Sequence, residues 1–260
     1  MLKFRNTENL TGVTISGTFE DLQETYEAIE RVMGPGLSDD LTSLRVLGVC
    51  YDLRHCFMGN REVEAVDNNY HEDLQKWHSL IHPQSNIHYS VNILWLELMF
   101  ATLTLDGYIW KYSDDKMYRK MMRESSIVDD REFYDNTRFE DIALVRLFQE
   151  KVWNAFRRAC GDAACNRLYK QSKTAVETRY SSYGMLSYYT QYIDTLEMKY
   201  LKAKPEKRNK LLATLVKKMI VKGDDYYELE ARILHFILES GACAEDVQLA
   251  DVEYPEEIIW

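Results

Sequence analysis

Apolar residues recur along this chain with two different periods, and the change between them divides it. Near the start, Lys3 to Arg5 and Val13 to Ser16 flank Asn6-Thr7-Glu8-Asn9, a run of turn formers. The pattern predicts a β-hairpin with a loop of about four to six residues. Thr18 with Asp21 three positions on has the form of a capping box, and Leu22, Tyr26, Ile29 and Val32 repeat at helical spacing. Gly34-Pro35-Gly36 ends that helix. Leu44 to Tyr51 is apolar enough to predict a buried strand, with Arg61 to Val66 as its antiparallel partner. From about Asn86 the period becomes helical. Ile87, Val91, Leu94, Leu98 and Ala101 mark one face, while Ile93, Trp95, Met99, Phe100 and Leu103 fill most of the other. A helix apolar nearly all round belongs at the centre of a domain.

Four more helices follow by the same rule. One spans Phe139 to Ala159 (Ile142, Val145, Phe148, Val152, Phe156), and a second carries Leu186, Tyr189, Ile193, Leu196 and Tyr200. A third starts at Pro205, uses Leu211, Leu212, Leu215 and Met219, and is stopped by Gly223; the last runs from about Asp225 to Ser240 and ends at Gly241. The polar stretches Ser113 to Arg138 and Lys170 to Tyr183 are expected to be connections. The order implies an α+β fold: a small N-terminal antiparallel sheet with one helix, in about residues 1–70, packed on a mainly α-helical C-terminal layer in about 86–241, with a tail at 242–260. One domain over 1–260 accommodates it.

Composition supports a folded, helix-rich chain: 46% of the 260 residues are hydrophobic and 12% aromatic, with only 4 prolines and 11 glycines. The longest apolar run, Ile93 to Leu105, is interrupted by Glu97 and falls short of the roughly 20 residues that span a bilayer. No secretory or transit pattern opens the sequence, and 5 irregularly placed cysteines do not make a disulfide framework, so a reducing, cytoplasmic setting is expected. Net charge is -10, yet Lys199 to Lys222 holds nine Lys and Arg against one acid, Glu206. Within that stretch Lys204, Lys207, Arg208 and Lys210 are the candidate binding residues. The acidic remainder makes another protein a better expected partner than nucleic acid. No membrane contact is expected, and homo-oligomer formation is left open.

Candidate chemistry is sparse. Asp52, Arg54 and His55, beside Tyr51, bring an acid, a guanidinium and an imidazole into one short segment, as a hydrolytic site would. Cys56 follows as a conceivable nucleophile, but such a turn is more commonly structural, with Asp52 capping amides and Arg54 in a salt bridge. Glu97, on an apolar helix, must be paired, protonated or part of a site. Arg54, Arg61 and Arg146 are its available partners, and pairing outweighs a catalytic role. His78 and His82 are four apart, a spacing that can ligate a divalent metal on one helix face. The glutamate of a metalloprotease helix is absent between them and Pro83 follows at once, so loop histidines are the simpler reading. No cofactor is expected, and no dinucleotide or P-loop pattern occurs.

The order of NTENLTGVTISG, YDLRHCFMGNRE, YSVNILWLELMF, YTQYIDTLEMKYLK and YPEEIIW resembles a family of bacterial proteins of unknown function. That resemblance implies a bacterial or phage cytoplasmic origin and transfers no activity to any residue. The leading expectation is a non-enzymatic interaction protein, in bacterial regulation or phage–host conflict. The alternative is a hydrolase or nuclease working through Tyr51 to His55, with or without a metal held by His78 and His82.

Overall fold

A computed structural model of the protein describes residues 1–34, 41–68, 83, 85–114, 131–179, 186–243, 247 and 252–260, with the side chains of 131–136, 175–179 and 186–188 excepted. The chain begins with the expected hairpin, β1 (Lys3–Asn6) and β2 (Gly12–Gly17). Helix α1 (Phe19–Met33) follows behind a complete capping box, in which the Thr18 hydroxyl accepts from the Asp21 amide and the Asp21 carboxylate accepts from the Thr18 amide. It stops at Gly34, whose φ of 86° suits glycine.

The next element departs from expectation. Leu41–His55 is a helix, α2, not a strand. Its buried residues Thr42, Ser43, Val46, Val49, Cys50 and Leu53 fall at intervals of three and four, the period of a helical face. The compact Val-Leu-Gly-Val-Cys run hides that period behind β-branched residues. A wide turn, Cys56–Asn60, reverses the chain through Gly59 at φ 79° and leads into β3 (Glu62–Asp67). With no strand at 44–51, β3 pairs instead with β4 (Ser85–Leu94), another correction, since helix was expected from Asn86. Ile87, Tyr89, Val91 and Ile93 alternate as a strand should; the apolar run simply continues unbroken into helix α3 (Trp95–Ser113).

The sheet is antiparallel throughout, in the order β1-β2-β4-β3. Opposed pairs Val13–Ile93 and Ile15–Val91 bury one face against the helices, while Thr14 and Asn92, hydrogen-bonded at 2.7 Å, belong to the other. Helix α3 is the central beam: Trp95, Leu96, Leu98, Met99, Phe100 and Leu105 are buried, and it touches α1, α2 and all of the later helices but the last. The later helices are α4 (Arg131–Cys160), α5 (Asp162–Arg179), α6 (Leu186–Leu201), α7 (Pro205–Ile220) and α8 (Asp224–Ser240). Two stretches expected as connections are thus helical in part: 131–138 opens α4 and 170–179 completes α5. Among the described residues no helix is long and apolar enough to cross a membrane.

Candidate functional site

Helix α2 and strand β4 stand apart over part of their length, and the gap between them is a cleft of about 860 Å³. That size falls in the range of small-ligand sites, roughly 300–1,000 Å³. Arg45, Gly48, Val49, Tyr51 and Asp52 line it from α2, and Ser90 to Leu94 from β4. Asn60, Arg61 and Glu62 close the end nearer the wide turn, and Glu97, Ile258 and Trp260 the other. The wall at Trp260 is pinned rather than draped. Asn9 Nδ2 donates to the Trp260 carbonyl at 2.7 Å, and Thr11 Oγ1 to the Ile259 carbonyl at 2.5 Å. The Trp260 ring lies over Gly12, where a β-carbon would come within 2.9 Å of the ring and 2.1 Å of the Ile93 carbonyl oxygen.

Charge in the cleft is organised around Arg45. Its Nε donates to Glu97 Oε2 at 2.8 Å, its Nη2 pairs with the other Glu97 oxygen and with Asp194 at 2.8 Å, and its Nη1 donates to the Thr190 carbonyl at 2.9 Å. Burial works against the charge on this guanidinium, but Glu97 and Asp194 outweigh it and raise its pKa above the free value. The Tyr254 hydroxyl donates to Asp194 at 3.1 Å, tying the segment 252–260 to the same network. Behind it sits Glu197, fully buried. Among the described residues neither of its oxygens has a hydrogen bond of full geometry; the groups that favour its charge are Arg45 first and then the amides of Leu96 and Glu97 at the start of α3. Burial, and then repulsion from Glu97, push its pKa well above the usual carboxylate value. At the outer end Asp52 accepts from Arg61 at 2.9 Å. Gly48, between these two ion pairs, is exposed, and a β-carbon there would meet nothing within 4 Å.

Residues 2–260 match the family described as "Domain of unknown function (DUF6904)". The chain belongs to that family. No curated protein and no solved structure matches it. The match takes in every element that builds the DUF6904 cleft, from Gly12 to Trp260.

The four residues read as candidates for catalysis divide in this DUF6904 chain. Asp52 and Glu97 line the cleft; Arg54 and His55 do not. Arg54 lies 5.7 Å from the centre of the Tyr51 ring, and His55 packs on the same ring at 4.1 Å with its Nδ1 3.1 Å from Asn60 Nδ2. Cys56 is buried, and burial pushes its thiol up to about 12, away from the thiolate that a nucleophile needs. Glu97 is paired as expected, but with Arg45 rather than Arg54, Arg61 or Arg146. Arg146 binds Asp106 together with Lys173, in a separate network on α3, α4 and α5.

Of the basic candidates, Lys204, Lys207 and Lys210 face solvent, whereas Arg208 is turned inward. Its guanidinium donates to the carbonyls of Ala203 (3.1 Å), Leu201 (3.1 Å) and Asn9 (2.8 Å), so it is a structural clamp and not a surface cation. His78 and His82 lie outside the described residues, among which no group of three His, Cys, Asp or Glu could hold a metal ion. Arg45, Gly48, Asp194 and Glu197 escaped the sequence reading. The signal for the first two was the helical spacing of 45, 48, 49 and 52, which a strand assignment erased.

Proposed function

We propose that this chain is a non-catalytic binding protein whose cleft between α2 and β4 receives a segment of another protein. Gly48 carries the reading. A glycine inside a helix costs about 1 kcal/mol relative to alanine, and no neighbouring atom requires one here. What it provides is space for a guest to lie against the α2 backbone. The lining has the mixture such a guest needs: apolar contact from Val49, Ile258 and Trp260, and hydrogen-bonding groups on Asn60, Ser90 and Asn92. Asp52 and Glu97 are each held by an arginine, which suits them to accept hydrogen bonds rather than to shuttle protons. Hydrolysis through Tyr51 to His55 has less support, because His55 lies outside the lining and the Cys56 thiol is suppressed. Five free cysteines favour a reducing, cytoplasmic setting.

The test is a peptide library displayed on phage and selected on the full chain. Selected peptides should bind Gly48→Trp at least about ten-fold more weakly than the wild type, a loss of about 1.4 kcal/mol, with circular dichroism unchanged. Equal binding to both proteins would remove the cleft from consideration.

A further inference from the structure

We infer that the outer edge of β3 is a strand-addition site for an extended basic segment of a partner protein. This deepens the reading of the cleft as a partner site and rests on it only for where such a segment would continue, since Glu62 belongs both to β3 and to the cleft wall.

Over Glu62–Ala65, β3 is hydrogen-bonded to β4 on one side, and among the described residues no strand pairs with the other. The pairing of β2 with β4 ends at Gly17–Tyr89, whereas β3 continues along β4 to Asp67–Ser85. The outer half of β3 and β4 is therefore a two-stranded ribbon projecting past the sheet. Glu62, Val63, Glu64 and Ala65 are all exposed, and Ile87, opposite Ala65, is 50% exposed. An edge of this length offers alternate unpaired N–H and C=O groups, the template used when a partner adds a strand.

Side chains select the guest. Alternation puts Glu62 and Glu64 on one face, opposite Ser90 and His88, and Val63 and Ala65 on the other, opposite Tyr89 and Ile87. Arg61 is engaged by Asp52 and so does not neutralise the two glutamates. Over Glu62–Ala65 an incoming strand meets two carboxylates on one face and apolar groups on the other, which favours lysine or arginine alternating with valine or threonine. The same charges disfavour a second copy of β3. Antiparallel pairing of two such edges keeps each face together, so pairing centred on Glu64 sets that carboxylate against its own copy and Glu62 against Val66.

The experiment titrates the full chain into three fluorescent eight-residue peptides, each capped at both ends, and reads anisotropy. One alternates lysine with valine and threonine, the second is its copy methylated at every peptide nitrogen, and the third replaces lysine by glutamate. The lysine peptide should bind, and the other two should bind at least ten-fold more weakly. Glu62→Lys with Glu64→Lys should invert the preference toward the glutamate peptide. No binding of the lysine peptide, equal binding of its methylated copy, or an unaltered preference in the double variant would each overturn strand addition. Failure of the cleft itself shows separately, in the response of selected peptides to Gly48→Trp.

Discussion

Glu197 is an acid that makes no ion pair among the described residues, buried beside Glu97 and Arg45 and facing the first amides of α3. Its proton is held more tightly in the folded chain than in the unfolded one. Stability from this group is therefore complete below the unfolded pKa and is lost as pH rises through the folded value. Glu197→Gln keeps the size and removes the titration. The variant should match the wild type near pH 4 and exceed it near pH 8, as read from urea midpoints at the two pH values; a constant difference between the proteins would show that Glu197 does not titrate in this range. Arg45 is the complementary case. Arg45→Met strands Glu97 and Asp194, and breaking such a pair costs about 3–5 kcal/mol when fully buried. Because Glu97 and Asp194 are 23% and 28% exposed, the loss belongs near the lower end. Urea unfolding measures it directly.

At the scale of elements, α2 carries a correctable weakness. Gly48→Ala adds a methyl group that touches nothing and removes backbone freedom from the unfolded chain, so it should raise stability by about 0.5–1 kcal/mol. Chemical denaturation checks the sign, and a destabilised variant would mean that the cleft wall is tighter than the structure shows. The elements legible in the sequence share a property with the Thr18 cap: their signals are local. The first hairpin, α1 with Thr18 and Asp21, and the helices opened by Pro205 and closed by Gly241 announce themselves within a few residues. What stayed hidden depends on distant partners. Leu94 precedes α3 without any side-chain cap, and the carboxylate facing its first amides comes from residue 197, so nothing near Leu94 marks where strand becomes helix. Once α2 was read as a strand, Arg45 could not be placed opposite Glu97, 52 positions away. The cleft was half legible for the same reason: Asp52 and Glu97 stood out as charges among apolar neighbours, while Gly48 gains meaning only from the empty space above it.

For the molecule as a whole, the β1–β2 loop is the joint that holds sheet, helical layer and cleft wall together. Leu10 sits there at φ 53°, an uncommon conformation for a residue with a side chain, and its carbonyl accepts from the Tyr200 hydroxyl of α6. Thr11 accepts from Arg208 of α7 at 2.5 Å, donates to the Ile259 carbonyl, and through its own carbonyl accepts from the Trp95 amide at 3.3 Å. Arg208 therefore acts on the cleft through this loop, although it lies on another element and does not line the cavity. Arg208→Met would keep the packing of the stem and leave the carbonyls of Asn9, Leu201 and Ala203 without their donor, costing about 2–4 kcal/mol. Lys207→Glu, one residue earlier and exposed, should change stability by no more than about 0.5 kcal/mol. Amide exchange separates a local from a joint effect: protection at 258–260 should fall together with that at 9–12 in Arg208→Met and stay as in the wild type in Lys207→Glu. If exchange at 258–260 were unaffected by Arg208→Met, the wall at Trp260 would be anchored by Asn9 and Thr11 without help from α7, and the loop would not couple the helical layer to the cleft.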